Sequence, residues 1–274
     1  MKRTLIIPKR IVTVDSKKRI LKDHCVEIVD DKIFSIEKLS EKKLNEFKGE
    51  VVKAENLTLI PGFVQTHVHL CQTLFRGMAD DLELLEWLQL KIFPYENAHD
   101  KKSLAASVKL GINELTLGGT TTILDMGTLR HQEVIFDELI ASGIRAIAGK
   151  CMIDMNDLLP RFKSSTKNEL RETYLLSKAF HNEAGGRIKY GFAPRFVLSS
   201  SAKLMQETKE MMKDFPGSIF HTHSSENTDE IKAVRKKFKM NNIEYFNSLG
   251  VLDENSILAH CIHVNNDEIN LLKK

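Results

Sequence analysis

From about residue 57 onward, short apolar runs alternate with longer stretches of helical periodicity, and this alternation restricts the fold more than any other feature. Phe63–Leu70, Thr120–Met126, Ile144–Met152, Ile188–Ala193, Ser218–His223 and Ser256–His260 read as strands. Leu82–Phe93, Lys101–Leu117, Glu133–Ser142, Glu169–His181, Ala202–Asp214 and Ile243–Leu249 read as helices. Gly118-Gly119, Gly143, Gly185-Gly186 and Gly217 stand at helix-to-strand junctions, where a left-handed residue ends a helix. Consecutive strands joined through helices pair in parallel, because a parallel pair needs a long crossover. The pattern predicts an α/β fold of the (β/α)8 TIM-barrel type, truncated after about six strands.

The residues ahead of this repeat have a different texture. Leu5–Ile7, Ile11–Val14, Val26–Val29 and Ile33–Ile36 are brief β-branched runs, and Asp30-Asp31-Lys32 predicts a hairpin turn between the last two. The charged stretch Glu37–Lys53 predicts a solvated loop or short helix. Leu57–Ile60 followed by Pro61-Gly62 marks the passage into the repeat.

Composition removes several function classes. Lys and Arg total 40 against 37 Asp and Glu, and a net charge of +3 is too small to imply nucleic-acid binding. No apolar run approaches the ~20 residues of a membrane span, and the apolar stretch within Met1–Arg10 is too short for a signal peptide. The four cysteines, Cys25, Cys71, Cys151 and Cys261, form no Cys-x-x-Cys, which argues against a zinc ribbon or a disulfide scaffold. The expectation is a cytoplasmic protein acting on a small molecule, with neither nucleic acid nor membrane as partner.

Chemistry-bearing residues gather at the C-terminal ends of the predicted strands, the rim where a β/α barrel collects catalytic groups. His67-Val68-His69 ends the first strand, and residues i and i+2 face the same side, so two imidazoles point together as a divalent ion requires. Alone, such a pair is also an ordinary polar strand end. At the end of the fifth strand, His223 is a candidate third ligand and Glu226 a candidate proton shuttle. His221 lies one layer deeper and reads as a hydrogen-bonded core histidine. His260 ends the sixth strand and is placed to orient or deprotonate a metal-activated water. Glu96 follows Phe93-Pro94-Tyr95 in a segment that carries Trp87, the only tryptophan; it reads either as a carboxylate over the barrel mouth or as an ordinary exposed Glu. Cys71 and Cys261 read as packing residues rather than nucleophiles. The phosphate-loop, dinucleotide, nucleophile-elbow and HExxH motifs are absent. His131-Gln132-Glu133 lacks the P-C-x-x-C that a cytidine-deaminase zinc site requires.

Pro61-Gly62-Phe63-Val64-Gln65-Thr66-His67-Val68-His69 resembles the PGFxxxHxH signature of the amidohydrolase superfamily. Thr73–Leu82, Glu86-Trp87-Leu88, Gly118–Thr122, His223-Ser224-Ser225-Glu226 and Leu258-Ala259-His260-Cys261 resemble the branch holding S-adenosylhomocysteine/5′-methylthioadenosine deaminases and triazine chlorohydrolases. The resemblance runs along the whole chain and covers the N-terminal two-thirds of a family member. It implies an N-terminal part of a small β-sandwich domain over residues 1–57 and an incomplete amidohydrolase barrel over 58–274.

Position by position, the resemblance makes His67, His69 and His223 metal ligands, Glu226 the catalytic carboxylate, and His260 the histidine that contacts the hydrolytic water. Glu96 matches the carboxylate that holds ribose hydroxyls, and Arg195 falls in the substrate-binding position where the deaminases usually have His. Lys150 stands where some members carry Arg. The family's fourth metal ligand, an Asp after strand eight, has no counterpart in this sequence. The implied cofactor is one divalent ion, zinc, since Phe192–Arg195 holds no lysine to bridge a second. The implied activity is hydrolytic deamination of an adenosine derivative, 5′-deoxyadenosine, methylthioadenosine or S-adenosylhomocysteine in type, by a homo-oligomer when full-length. The alternatives are a triazine-, guanine- or cytosine-type amino- or chlorohydrolase, and an inactive truncated remnant or metal-binding module.

Overall fold

A computed structural model describes residues 1–156 and 162–273. The chain divides into two units, Met1–Gly62 and Phe63–Lys274.

In the first unit, strands β1 (Arg3–Val12), β2 (Ile20–Lys22), β3 (His24–Val29), β4 (Lys32–Lys38) and β5 (Glu50–Leu59) form one sheet. β1 is antiparallel to β2 and β3 and parallel to β5. The expected strands Leu5–Ile7 and Ile11–Val14 merge into β1, which ends at Val12, short of Val14; Pro8, which has no N–H to give, sits where the register of β1 with β5 shifts. β3 and β4 form the expected hairpin, with Asp30 in the left-handed region at φ 54°. Glu37–Lys53 holds the expected short helix but gives its two ends to strands. A helix, Glu41–Glu46, capped by the Ser40 side chain, occupies only its middle, and Glu50–Lys53 opens β5. Most of β5 is exposed, so no apolar alternation marks it in the sequence. Leu5, Ile7 and Cys25 pack with Leu39, Leu44 and Phe47 in a small core.

In the second unit, β6 (Phe63–Val68), β7 (Thr120–Asp125), β8 (Arg145–Ala148), β9 (Cys151–Met152), β10 (Ile188–Pro194), β11 (Ile219–Ser224) and β12 (Ser256–His260) run parallel. Their order is β6-β7-β8-β10-β11-β12, with β9 also on β10. This is the expected six-stranded barrel wall; among the described residues β6 and β12 are each paired along one side only. The run expected as one strand over Ile144–Met152 is broken at Gly149-Lys150. Gly149 lies so close to the backbone of Gly191 that a Cβ would collide with its carbonyl oxygen.

Helices cover the sheet with narrow apolar stripes. Lys101–Leu117 buries Leu104, Val108 and Ile112, an i, i+4, i+8 row, and starts in a capping box between Asp100 and Ser103. These side chains share one core with Ile123, Ile135, Phe136, Tyr190, Phe192 and Phe220. The helix Thr228–Phe238 is absent from the sequence expectation. Its buried hydrophobics are only Ile231 and Val234 amid charges, and an Asn227–Glu230 capping box starts it. The expected helix Leu82–Phe93 is longer and composite: Leu84–Trp87, a π-helical turn Leu88–Ile92, then Phe93–Ala98 with Pro94 in its first turn.

Candidate active site

The curl of the barrel wall decides the site. β6 and β11 are not neighbours in the sheet; β7, β8 and β10 lie between them. Their side chains nevertheless meet across the interior in two rungs. His67 Nδ1 lies 3.1 Å from His221 Nε2, and one pleat further His69 Nε2 lies 3.1 Å from His223 Nε2. His260, at the end of β12, brings its ring centroid to 5.1 Å from His67 and stacks on His223 at 5.4 Å. Ligand atoms of His67, His69 and His223 fall within 4.8 Å of one another.

Backbone geometry holds this rim. Ser225, His260 and Cys261 adopt left-handed φ of 53°, 75° and 50°, which is uncommon off glycine and costs of order 1 kcal/mol or more each. Cys261 N donates to Ser224 O at 2.9 Å, and His263 N donates to Ser225 O at 3.0 Å, so the turn after β12 is tied to the turn after β11.

The donor set fits a divalent cation. Burial, followed by the charges of His260 and Arg195, pushes the His67 pKa down to about 4, and burial drives His69 and His223 well below the ordinary value. The imidazoles are therefore neutral, the form that ligates metal. His223 Nδ1 donates to the Arg195 carbonyl at 2.8 Å, which leaves its Nε2 as a bare lone pair. A second group, His69, Cys71 and Glu96, is equally compact but unsuitable. Arg195 Nη1 already lies 3.2 and 3.1 Å from the two Glu96 oxygens, and burial pushes the Cys71 thiol well above its usual pKa.

The histidines open on a cavity of ≈ 180 Å³ whose other walls are Leu84, Trp87, Leu88, Arg195, Phe196, Glu226, Glu230 and His260. Glu226 Oε2 lies 3.4 Å from His260 Nε2. Burial raises the Glu226 pKa, opposed by the charge of Arg195, and burial lowers that of His260. A carboxyl inclined to keep a proton beside a neutral imidazole is suited to moving protons.

Of the residues expected at the site, His67, His69, His223, Glu226, His260 and Arg195 are brought together at this cavity. Glu96 is not among its walls. It is 0 % exposed, both oxygens engage Arg195, and Oε1 also accepts from Gln72 Nε2 at 2.7 Å. Lys150 is buried in a separate contact with Glu169 at 2.6 Å. Sequence reasoning missed the apolar wall of Leu84, Leu88 and Phe196 and the contact of His221 with His67. The His-x-His spacing of 221 and 223 was the available signal for the second.

A parallel β/α wall with an imidazole cluster and a Glu226–His260 contact at its C-terminal rim defines a β/α-barrel protein with donors that fit a divalent ion. Within that class, the chain belongs to the amidohydrolase family, which its residues 58–274 match. It is 34% identical over 254 residues to a 5′-deoxyadenosine deaminase of Methanosphaera stadtmanae, covering 93% of this chain and 57% of that protein. It is 31% identical over 271 residues to a 5-methylthioadenosine/S-adenosylhomocysteine deaminase of Caldicellulosiruptor saccharolyticus, covering 98% and 59%. A guanine deaminase of C. acetobutylicum, solved with guanine in its active site, superposes with a TM-score of 0.89 at 27% identity over 99% of this chain and 65% of that one. The chain thus spans a little under two-thirds of the length of these relatives.

Proposed function

We propose that this chain supplies the metal-binding and proton-transfer residues of a hydrolytic deaminase acting on an adenosine derivative of the 5′-deoxyadenosine, methylthioadenosine or S-adenosylhomocysteine type. The observation that carries this reading is the convergence of His67, His69 and His223 with Glu226 and His260 on one cavity. The two curated relatives, similar over nearly the whole chain, support the substrate class.

His67, His69 and His223 would hold the ion, and zinc suits an all-imidazole set. Such an ion supplies hydroxide at neutral pH by lowering the pKa of water from 15.7 to about 7. His260 orients the attacking water through its ring and hands the proton to Glu226 Oε2. Glu226 delivers that proton to the substrate ring nitrogen, where it stays; the hydroxyl added at carbon then gives its own proton to the amine, which leaves as ammonia, so that the ring –N=C(NH2)– and water give –NH–C(=O)– and NH3. Trp87, Leu84 and Leu88 exclude bulk water from one side of the cavity. The four cysteines are free thiols, in keeping with a reducing, cytoplasmic setting.

One observation favours a second reading. Glu96 has both oxygens committed to Arg195 and Gln72 and does not face the cavity, whereas Arg195 does. A site with a guanidinium and apolar walls, in which Glu96 is not free for ribose hydroxyls, suits a base or triazine ring better than a riboside. Ammonia release from 5′-deoxyadenosine, methylthioadenosine, S-adenosylhomocysteine, guanine and an aminotriazine tests both. Turnover of ribosides is the expected result; turnover of guanine or triazine alone overturns the first reading in favour of the second.

A further inference from the structure

The lower rung of the histidine cluster has a consequence for its upper neighbours. His221 is 1 % exposed, one pleat beneath His223 on β11, with its ring edge-on to His67 at 5.1 Å between centroids. Its Nε2 faces His67 Nδ1 at 3.1 Å. With His67 Nδ1 so engaged, Nε2 is the nitrogen left to face the other ligands. A ring that ligates through Nε2 must carry its hydrogen on Nδ1, and a hydrogen there needs an acceptor, because an unpaired buried donor is costly. Only an unprotonated His221 Nε2 can accept it, which places the His221 hydrogen on Nδ1. That Nδ1 is buried and has no hydrogen-bond partner among the described residues, so this arrangement shifts the cost of an unpaired donor from His67 to His221 and is favoured by the ligation of His67 Nε2 that it permits. The opposite arrangement, His221 Nε2–H donating to His67 Nδ1, leaves a hydrogen on His67 Nε2 that blocks ligation.

We infer that His221 is a positioning residue for the metal: by accepting from His67 Nδ1 it fixes the one tautomer of His67 in which Nε2 is a ligand. The inference rests on the metal reading above. His221 plays for His67 the part that the Arg195 carbonyl plays for His223, a fixed outer acceptor that sets ring tautomer and orientation. Both rings stay neutral in either arrangement, so the two differ in where the hydrogens sit and not in how many there are. A buried core histidine at 221 without this role would be replaceable by any side chain of similar volume.

The test is zinc affinity, measured by competition with a chromogenic chelator on the full-length protein. Three forms are compared: wild type, His221→Phe, and His221→Gln, whose Oε1 falls close to the place of Nε2 and can still accept. The Phe variant is expected to bind zinc ~10–100-fold more weakly, the usual effect of losing an outer-shell partner, and the Gln variant to stay within about threefold of wild type. Long-range 15N–1H correlation on the zinc-loaded wild type is expected to show His67 protonated at Nδ1. Equal zinc affinity in Phe and wild type, or a His67 ring protonated at Nε2, overturns the inference. A wild type that takes up no zinc overturns the metal reading itself, and the two failures are thereby distinct. Should the Phe variant not fold, His221→Asn, whose amide falls short of Nε2, replaces it with the same expected loss.

Discussion

Replacing Arg195 by Met removes one half of an ion pair that has almost no access to water. The Arg195 and Glu96 side chains are 2 % and 0 % exposed, and Nη1 contacts both carboxylate oxygens at 3.1–3.2 Å. Burial alone would disfavour the charged guanidinium; the Glu96 carboxylate more than offsets it, and the Arg195 pKa stands above its usual value. Arg195 also lies over the Phe93 ring at 4.9 Å and donates to Cys151 Sγ at 3.4 Å. With Met at 195, Glu96 keeps, among the described residues, only Gln72 as a side-chain donor. Breaking a buried pair from one side typically costs ~3–5 kcal/mol, and at roughly 2 °C per kcal/mol for a unit of this size the midpoint falls by about 6–10 °C. Differential scanning calorimetry reads it. The decisive form is the Glu96→Gln/Arg195→Met double variant, because Gln still offers Gln72 an acceptor but carries no charge. If uncompensated charge is the cause, the double variant is more stable than Arg195→Met alone, with a coupling of at least ~2 kcal/mol. Additive losses, or a double variant less stable than the single one, would refute the reasoning and assign the effect to the Phe93 and Cys151 contacts.

Other consequences follow from the same structure. Glu226→Gln is expected to cut ammonia release by ~10²–10⁴-fold while metal content, read by elemental mass spectrometry, is unchanged; loss of metal with activity would instead make Glu226 part of the ion's binding. His223→Ala should lower zinc stoichiometry, and chelation of the wild type should abolish turnover until zinc is restored. Gly149→Ala should destabilise the barrel by at least ~2 kcal/mol in urea unfolding, since β8 and β10 must separate to admit the methyl group. In the first unit, hydrogen bonding from Arg3, opposed by burial and aided by Lys43, holds the Glu27 carboxyl below its ordinary pKa. A depressed folded pKa contributes stability above the unfolded value of about 4.3, lost as pH falls through the folded value. Amide protection factors of Met1–Gly62, corrected for the intrinsic pH dependence of exchange, should therefore fall in acid below about pH 4, and Glu27→Gln should flatten that dependence.

The fold was legible where burial imposed a period on the residues. Leu104, Val108 and Ile112 announce their helix, and the strand-like runs of β7, β10 and β11 are largely buried. Elements that bury little left no such mark. β5 is mostly exposed, and the helix Thr228–Phe238 hides only Ile231 and Val234 among its hydrophobics. The break at Gly149 reflects an approach of the Gly191 backbone, which no local pattern encodes.

The site divides the same way. Spacing alone put His67 beside His69 and His221 beside His223, because alternate residues of a strand share a face. The family motifs added Glu226 and His260. That His67 meets His221, and His69 meets His223, depends on the curvature of a sheet with three strands between β6 and β11. The fate of Glu96 was likewise invisible: its partner Arg195 lies 99 residues away in sequence. A sequence states which faces its residues share within an element, since that follows from backbone geometry; which faces meet is settled only when strands curl and close over a common core.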